Sequence, residues 1–149
     1  MSVFGVEVKE NQICVINGRV SKHDALEKLI DVVAQNPAIT DAAVFRRSVH
    51  EREAVTSTGI GGGIAIPHVR IPEVKAPTLG VGIVPKGVDF DAIDNNPVHI
   101  MVLFATPKGA DKEYLGLLAK VMQALRDANL YKRLIACQNP NEVYSILKG

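Results

Sequence analysis

The chain has 149 residues, 47% of them hydrophobic and 22% charged, a size and balance that suit one globular domain with a full core and no staples. Lys and Arg number 17 against 16 Asp and Glu, and the formal net charge of +1 excludes a strong whole-molecule field for nucleic acid or an anionic membrane. Residues 1–10 include Glu7, Lys9 and Glu10 and no signal-peptide core, and the longest apolar run, Val98–Ala105, is far too short for a bilayer; a cytoplasmic location without membrane insertion is expected.

A short strand is predicted around Ile13–Ile16. The first helix opens at Ser21, a serine N-cap with Asp24 three residues on, and carries Ala25, Leu26, Leu29, Ile30 and Val33 at helical spacing until Asn36-Pro37 stops it. A second helix starts after Thr40, with Val44, Phe45 and Val49 inward and Arg46, Arg47, Glu51 and Arg52 outward. Between Gly59 and Ala110 fall six of the eight prolines and eight of the twelve glycines, so this part is strand and turn. Its strand candidates are Gly63–Ile66, Leu79–Val84 and Val98–Phe104, the last apolar enough to be covered on both faces. A third helix follows over Asp111–Ala128, its expected core stripe being Leu115, Leu118, Ala119, Met122 and Leu125. Short helices over Tyr131–Cys137 and Pro140–Leu147 close the chain, the last with Asn139 as N-cap and Pro140 at its first position. Helices before and after a block of strands predict an α/β fold: a single domain, residues 1–149, with a mixed β-sheet flanked by helices on both faces.

The chemistry concentrates in Ser57-Thr58-Gly59-Ile60-Gly61-Gly62-Gly63-Ile64-Ala65-Ile66-Pro67-His68. A glycine-rich loop enters a short apolar strand that delivers a proline and a histidine at its end. Consecutive N–H groups in such a loop can form an anion-binding nest, and Pro67 fixes the backbone just before the imidazole. There is no G-K-[ST], so this is not a nucleotide P-loop; nor is it a dinucleotide fingerprint, because the glycines lead into a strand and not a helix. On spacing alone, a phosphoryl site and a tight turn followed by a satisfied loop histidine weigh about equally.

This segment resembles the active-site signature of the phosphotransferase-system IIA components of the mannitol–fructose class, including their nitrogen-regulatory relatives. Ser21-Lys22 before an amphipathic helix, Arg52-Glu53 ahead of Ser57-Thr58-Gly59, Phe90-Asp91-Ala92-Ile93-Asp94-Asn95 and the strand after Pro97-Val98 extend the likeness over roughly residues 10–147. The Phe90–Asn95 stretch leans toward the nitrogen-regulatory branch. The resemblance implies that His68 is phosphorylated, that Arg52 supplies the cation, and that Thr58, Gly61, Gly62, Gly63 and Tyr114 bind the phosphoryl group, with no cofactor. It implies as partners an HPr-like phosphocarrier protein as donor, and a IIB domain or a regulatory target protein as acceptor. Two departures stand out. Family members commonly carry a second active-site histidine at the head of the third helix; here the matching residue is Tyr114, which can donate a hydrogen bond but supplies no positive charge at neutral pH. Gly62 stands where relatives often have a polar residue.

The resemblance thus implies a phosphocarrier in sugar uptake or, as the alternative, a regulatory protein whose phosphorylation state switches its contacts. Tyr114 and the lack of a fused IIB segment favour the second; a scaffold repurposed to bind near the glycine loop is the third reading. Helical faces beside a shallow depression at His68, with Arg46 and Arg47, are the expected docking surface. Of the other histidines, His23 is expected in the first helical turn, His50 on a solvent face and His99 as a satisfied strand residue. No two histidines stand i, i+4 apart, so no metal site is expected. Cys14 and Cys137 have no C-x-x-C spacing and are expected to be buried, reduced thiols.

Overall fold

The computed structural model describes residues 3–5 and 7–149; Met1, Ser2 and Val6 lie outside the described residues. In chain order the elements are β1 (Ile13–Val15), α1 (Lys22–Ala34), α2 (Ala42–Val55), β2 (Gly59–Gly61), β3 (Ile64–Ala65), β4 (His68–Arg70), β5 (Thr78–Val88), β6 (Val98–Thr106), α3 (Asp111–Leu125), α4 (Ala128–Ile135) and α5 (Pro140–Leu147), after a short 3₁₀ turn over Glu10–Gln12. The six strands form one mixed sheet in the order β1-β5-β6-β3-β2, with β4 also paired to β6.

The sheet is layered by β6. Its Ile100, Val102 and Phe104 join α3, α4 and α5 in one core cluster, while Val98, Met101, Leu103 and Ala105 join α1 and α2 in the other. Alternate side chains of a strand point to opposite faces, so a strand buried on both must be apolar almost throughout, as Val98–Phe104 is. The helices lie on both faces, as expected. Among the described residues, four of the five α-helices start on a side-chain N-cap: Ser21 accepts from the Asp24 N–H, Asp41 from that of Val44, Asp127 from those of Asn129 and Leu130, and Asn139 from that of Glu142, each cap worth about 1 kcal/mol.

Several boundaries differ from expectation. β5 runs eleven residues, through Pro85, because the register with β6 shifts between Ile83 and Val88 and frees the proline from the ladder. α3 ends at Leu125 and α4 begins at Ala128, since Asp127 caps a new helix by accepting from the Asn129 and Leu130 N–H groups. The inward stripe of α3 keeps Leu118, Met122 and Leu125 of the expected residues but gains Tyr114 and Val121, whereas Leu115 is 59% exposed and Ala119 is on the surface. Leu and Ala fill several faces of this helix, so two stripes satisfied the 3.6-residue period, and the polar hydroxyl of Tyr114 disguised the right one. Cys137 is buried but Cys14 only half so, and burial pushes the Cys14 thiol up to about 12.

β3 and β4 pair in succession along one edge of β6, Ile64 with Ile100 and His68 with Phe104. The offset is the same in both, so the strand is interrupted at Ile66-Pro67 without slipping. Pro67 has no N–H to give, but its carbonyl accepts from the Phe104 N–H at 2.9 Å, which carries the register across the gap. His68 therefore sits at a fixed place on a sheet edge.

Candidate functional site

Residues paired across a parallel ladder share a face, and Phe104 faces α3. His68 consequently meets Tyr114 in the first turn of α3, with ring centroids 5.0 Å apart and planes 30° off parallel, while Tyr114 stands edge-on to Phe104 at 5.7 Å. Two residues along β4, on the same face, Arg70 places its guanidinium 5.0 Å from the Tyr114 ring centre and its Nε 3.2 Å from Asp111. Arg52 approaches from the last turn of α2, where it donates to the Thr56 carbonyl at 3.0 Å. Ser48, Arg52, His68, Val69, Arg70 and Ile71 line one open depression.

The imidazole is fixed by its own backbone. His68 Nδ1 lies 3.0 Å from the Ile66 carbonyl, which can only accept, so the proton belongs on Nδ1 and Nε2 keeps its lone pair. Burial lowers the His68 pKa from its ordinary value; the Ile66 carbonyl opposes this, and the positive charges of Arg52 and Arg70 add to it. Burial and the two arginines outweigh the carbonyl and favour a neutral ring at neutral pH, and the carbonyl sets which nitrogen of that ring carries the proton.

The glycine loop is shaped by close packing and positive backbone angles. Gly61, Gly62 and Gly63 all have positive φ (94°, 66° and 77°), a run that only glycine adopts without strain. At Gly63 there is also no room for a side chain, because a Cβ would lie 2.0 Å from the Tyr131 hydroxyl, which donates to the Gly63 carbonyl at 3.2 Å. The Gly62 N–H is already given to Asp94 at 3.0 Å, in the Phe90–Asn95 stretch that the sequence singled out. Thr58 is buried and gives both its N–H (2.8 Å) and its hydroxyl (2.6 Å) to the carboxylate of Glu53, which Lys22 pairs at 3.0 Å. Thr58 and the three glycines are not among the residues that line the depression. The structure brings His68 and Arg52 together in the depression, with Tyr114 against the His68 ring, while Thr58, Gly61, Gly62 and Gly63 stand outside its lining.

Arg70 and Glu53 are the site residues that the sequence reading did not single out. Arg70 was legible in principle: two residues after His68 in an extended strand, it must share the histidine's face. Glu53 was quoted beside Arg52, but its burial, at 6% exposure, appears only in three dimensions. Elsewhere, His99 is satisfied as expected, its Nδ1 at 3.1 and 3.2 Å from the Val84 and Pro85 carbonyls. His50 is not a solvent-face residue: it is half-buried, and its Nε2 lies 2.7 Å from Glu27. Arg46, expected to be a free docking cation, is held by Glu27 and Asp31 of α1.

The family described as phosphoenolpyruvate-dependent sugar phosphotransferase system, EIIA 2, matches residues 8–149. A nitrogen regulatory protein of Klebsiella oxytoca is 36% identical over 128 residues, covering 85% of this chain and 78% of that protein. The fructose-specific EIIABC component of Bacillus subtilis is 27% identical over 126 residues, 85% of this chain, which spans only 20% of that longer protein. Among solved structures, the nitrogen regulatory protein IIA-Ntr of Neisseria meningitidis superposes with a TM-score of 0.80 at 28% identity, over 93% of this chain and 94% of that one. The Escherichia coli mannitol enzyme IIA, solved in complex with its phosphorylated enzyme IIB, shares the fold at a TM-score of 0.79 and 18% identity, over 95% of this chain and 96% of that one. The chain therefore belongs to the EIIA type-2 phosphocarrier family of the phosphotransferase system, which includes both sugar-specific and nitrogen-regulatory proteins.

Proposed function

We propose that this protein accepts a phosphoryl group on Nε2 of His68 from an HPr-like phosphohistidine protein in the cytoplasm and passes it to a IIB domain. The observation that carries this reading is the Nδ1 contact to the Ile66 carbonyl, which commits one ring nitrogen and leaves the other as the nucleophile. In the step, the Nε2 lone pair attacks phosphorus, a P–N bond forms to His68, and the donor's P–N bond breaks, returning its electron pair to the donor imidazole. The proton stays on Nδ1, hydrogen-bonded to the Ile66 carbonyl, so no general base is required. Because a phosphorylated histidine keeps a good leaving group, the reverse sequence delivers the group to an acceptor without metal or nucleotide. Arg52 stands where it can stabilise the equatorial oxygens, and its planar fork suits them. Tyr114 packs against the imidazole and restricts its rotation. Thr58 and the glycines act on the phosphoryl group at one remove, by holding the strand.

The regulatory alternative is favoured by one observation: the cation that a second histidine would supply is replaced by a buried tyrosine, which holds its proton more tightly than usual because of that burial. In that reading the phosphorylation state of His68 sets affinity for a target protein. Incubation with phosphoenolpyruvate, enzyme I and an HPr-like donor, read as intact mass at neutral pH, tests both. One acid-labile phosphoryl group, absent in His68→Ala, is expected. Fast loss on adding a IIB domain supports the carrier, and slow loss the regulator; no added mass would overturn both.

A further inference from the structure

Where the start of α1 meets the second half of α2, three side chains with metal-binding atoms converge. His23 and Glu27 stand one helical turn apart on α1, so they share a face, and His50 reaches them from α2. One ligand atom from each lies within 4.8 Å of the others, and the two imidazoles stack with centroids 4.8 Å apart. Neither ring nitrogen of His23 makes a hydrogen bond among the described residues, and the Glu27 contacts to His50 and Arg46 both fall on Oε2, leaving Oε1 available.

We propose that His23, Glu27 and His50 form a zinc site that clasps α1 to α2. Two imidazoles and one carboxylate are a donor set for a borderline ion; calcium and magnesium want oxygen shells. Bonds of ~2.0–2.1 Å in a tetrahedron set ligand atoms about 3.4 Å apart. Exposed His23 and half-buried His50 close the remaining gap by side-chain rotation, while the backbones stay in their helices. The ion takes the place of the proton that His50 now shares with Glu27. Arg46 stays on Glu27 Oε2 and is itself neutralised by Asp31, so it orients the ligating carboxylate from outside rather than competing for it. The fourth position opens to solvent, where a water or a partner's side chain completes the shell. The neighbouring Lys22 pairs with Glu53, so the clasp adjoins the contacts that hold Thr58. The site is separate from His68 and does not depend on the phosphoryl reading.

Zinc chloride titrated calorimetrically into tag-free, chelator-treated full-length protein tests this. One equivalent is expected to bind, with a rise of about 5 °C in Tm at saturation and with shifts of the His23 and His50 ring proton signals in NMR. His23→Ala, an exposed helix position that tolerates alanine, should weaken binding at least tenfold, as should Glu27→Gln; His68→Ala should leave it intact. No binding at 100-fold excess zinc over protein, undiminished binding in a His23→Ala/His50→Ala double variant, or equal binding of magnesium would each overturn the site.

Discussion

The surroundings of His68, the proposed phosphoryl acceptor, act on one nitrogen at a time. The Ile66 carbonyl holds Nδ1, and burial together with Arg52 and Arg70 disfavours the charged ring. A lowered pKa means that the neutral, nucleophilic form persists to more acidic pH than in a free histidine at ~6.5. The rate of phosphoryl acceptance should therefore be flat through neutrality and fall only as pH drops through a midpoint below that value; a single-turnover pH profile measures it, and a midpoint above 6.5 would contradict the assigned environment. Arg70 is the second residue to test. Tyr114 brings no positive charge to the site, and Arg70 sets one against its ring and beside His68. Arg70→Ala should slow acceptance about tenfold, Arg70→Lys less, with the larger loss at low salt because the guanidinium is partly exposed and screened.

At the scale of elements, the decisive device is the link from α1 and α2 to the loop before β2. Glu53 is nearly fully buried and charged, yet it receives the Thr58 N–H, the Thr58 hydroxyl and the Lys22 ammonium. A buried carboxylate so satisfied is costly to disturb, because its removal strands the donors it had paired. Glu53→Ala should lower stability by about 3 kcal/mol, read from the urea midpoint, and should slow phosphoryl acceptance at His68 even where the variant remains folded. Unchanged kinetics in the folded variant would show that the loop does not position His68. The interruption of the edge strand at Pro67 belongs to the same scale. A strand that keeps its register on β6 through a residue with no N–H places His68 by sheet geometry, and sheet geometry varies far less than that of a free loop.

For the molecule as a whole, β5 and β6 contribute side chains to both core clusters, so neither helical layer has a core of its own. Loss of one layer would expose half of each central strand, and the layers should unfold together. The three tyrosines, Tyr114, Tyr131 and Tyr144, all pack in the α3–α5 cluster, and the chain has no tryptophan. Tyrosine fluorescence therefore reports one layer while far-UV circular dichroism reports both. The two urea transitions should coincide within error; a dichroism transition extending beyond the fluorescence one would show that the α1–α2 layer separates.

What the sequence by itself determined follows from local rules. Ser21 and Asn139 announced their helices because capping is a contact over three residues, and Val98–Phe104 announced a central strand because only double burial tolerates such a run. His68 was legible through the glycines and Pro67 before it, together with the likeness to a known family that those residues carry. Other features depended on partners distant in the chain. The short strand His68–Arg70 has too few residues for a period of its own and exists because β6 offers it an edge. Tyr114 lies inward because Phe104 and His68 await it, although the Leu and Ala around it permitted another stripe. His23, Glu27 and His50 are scattered among charged residues in the sequence and meet only because α1 packs on α2. Local propensity and pattern set the elements; which side chains share a site is set by how the sheet and helices close on one another, across separations that no local pattern spans.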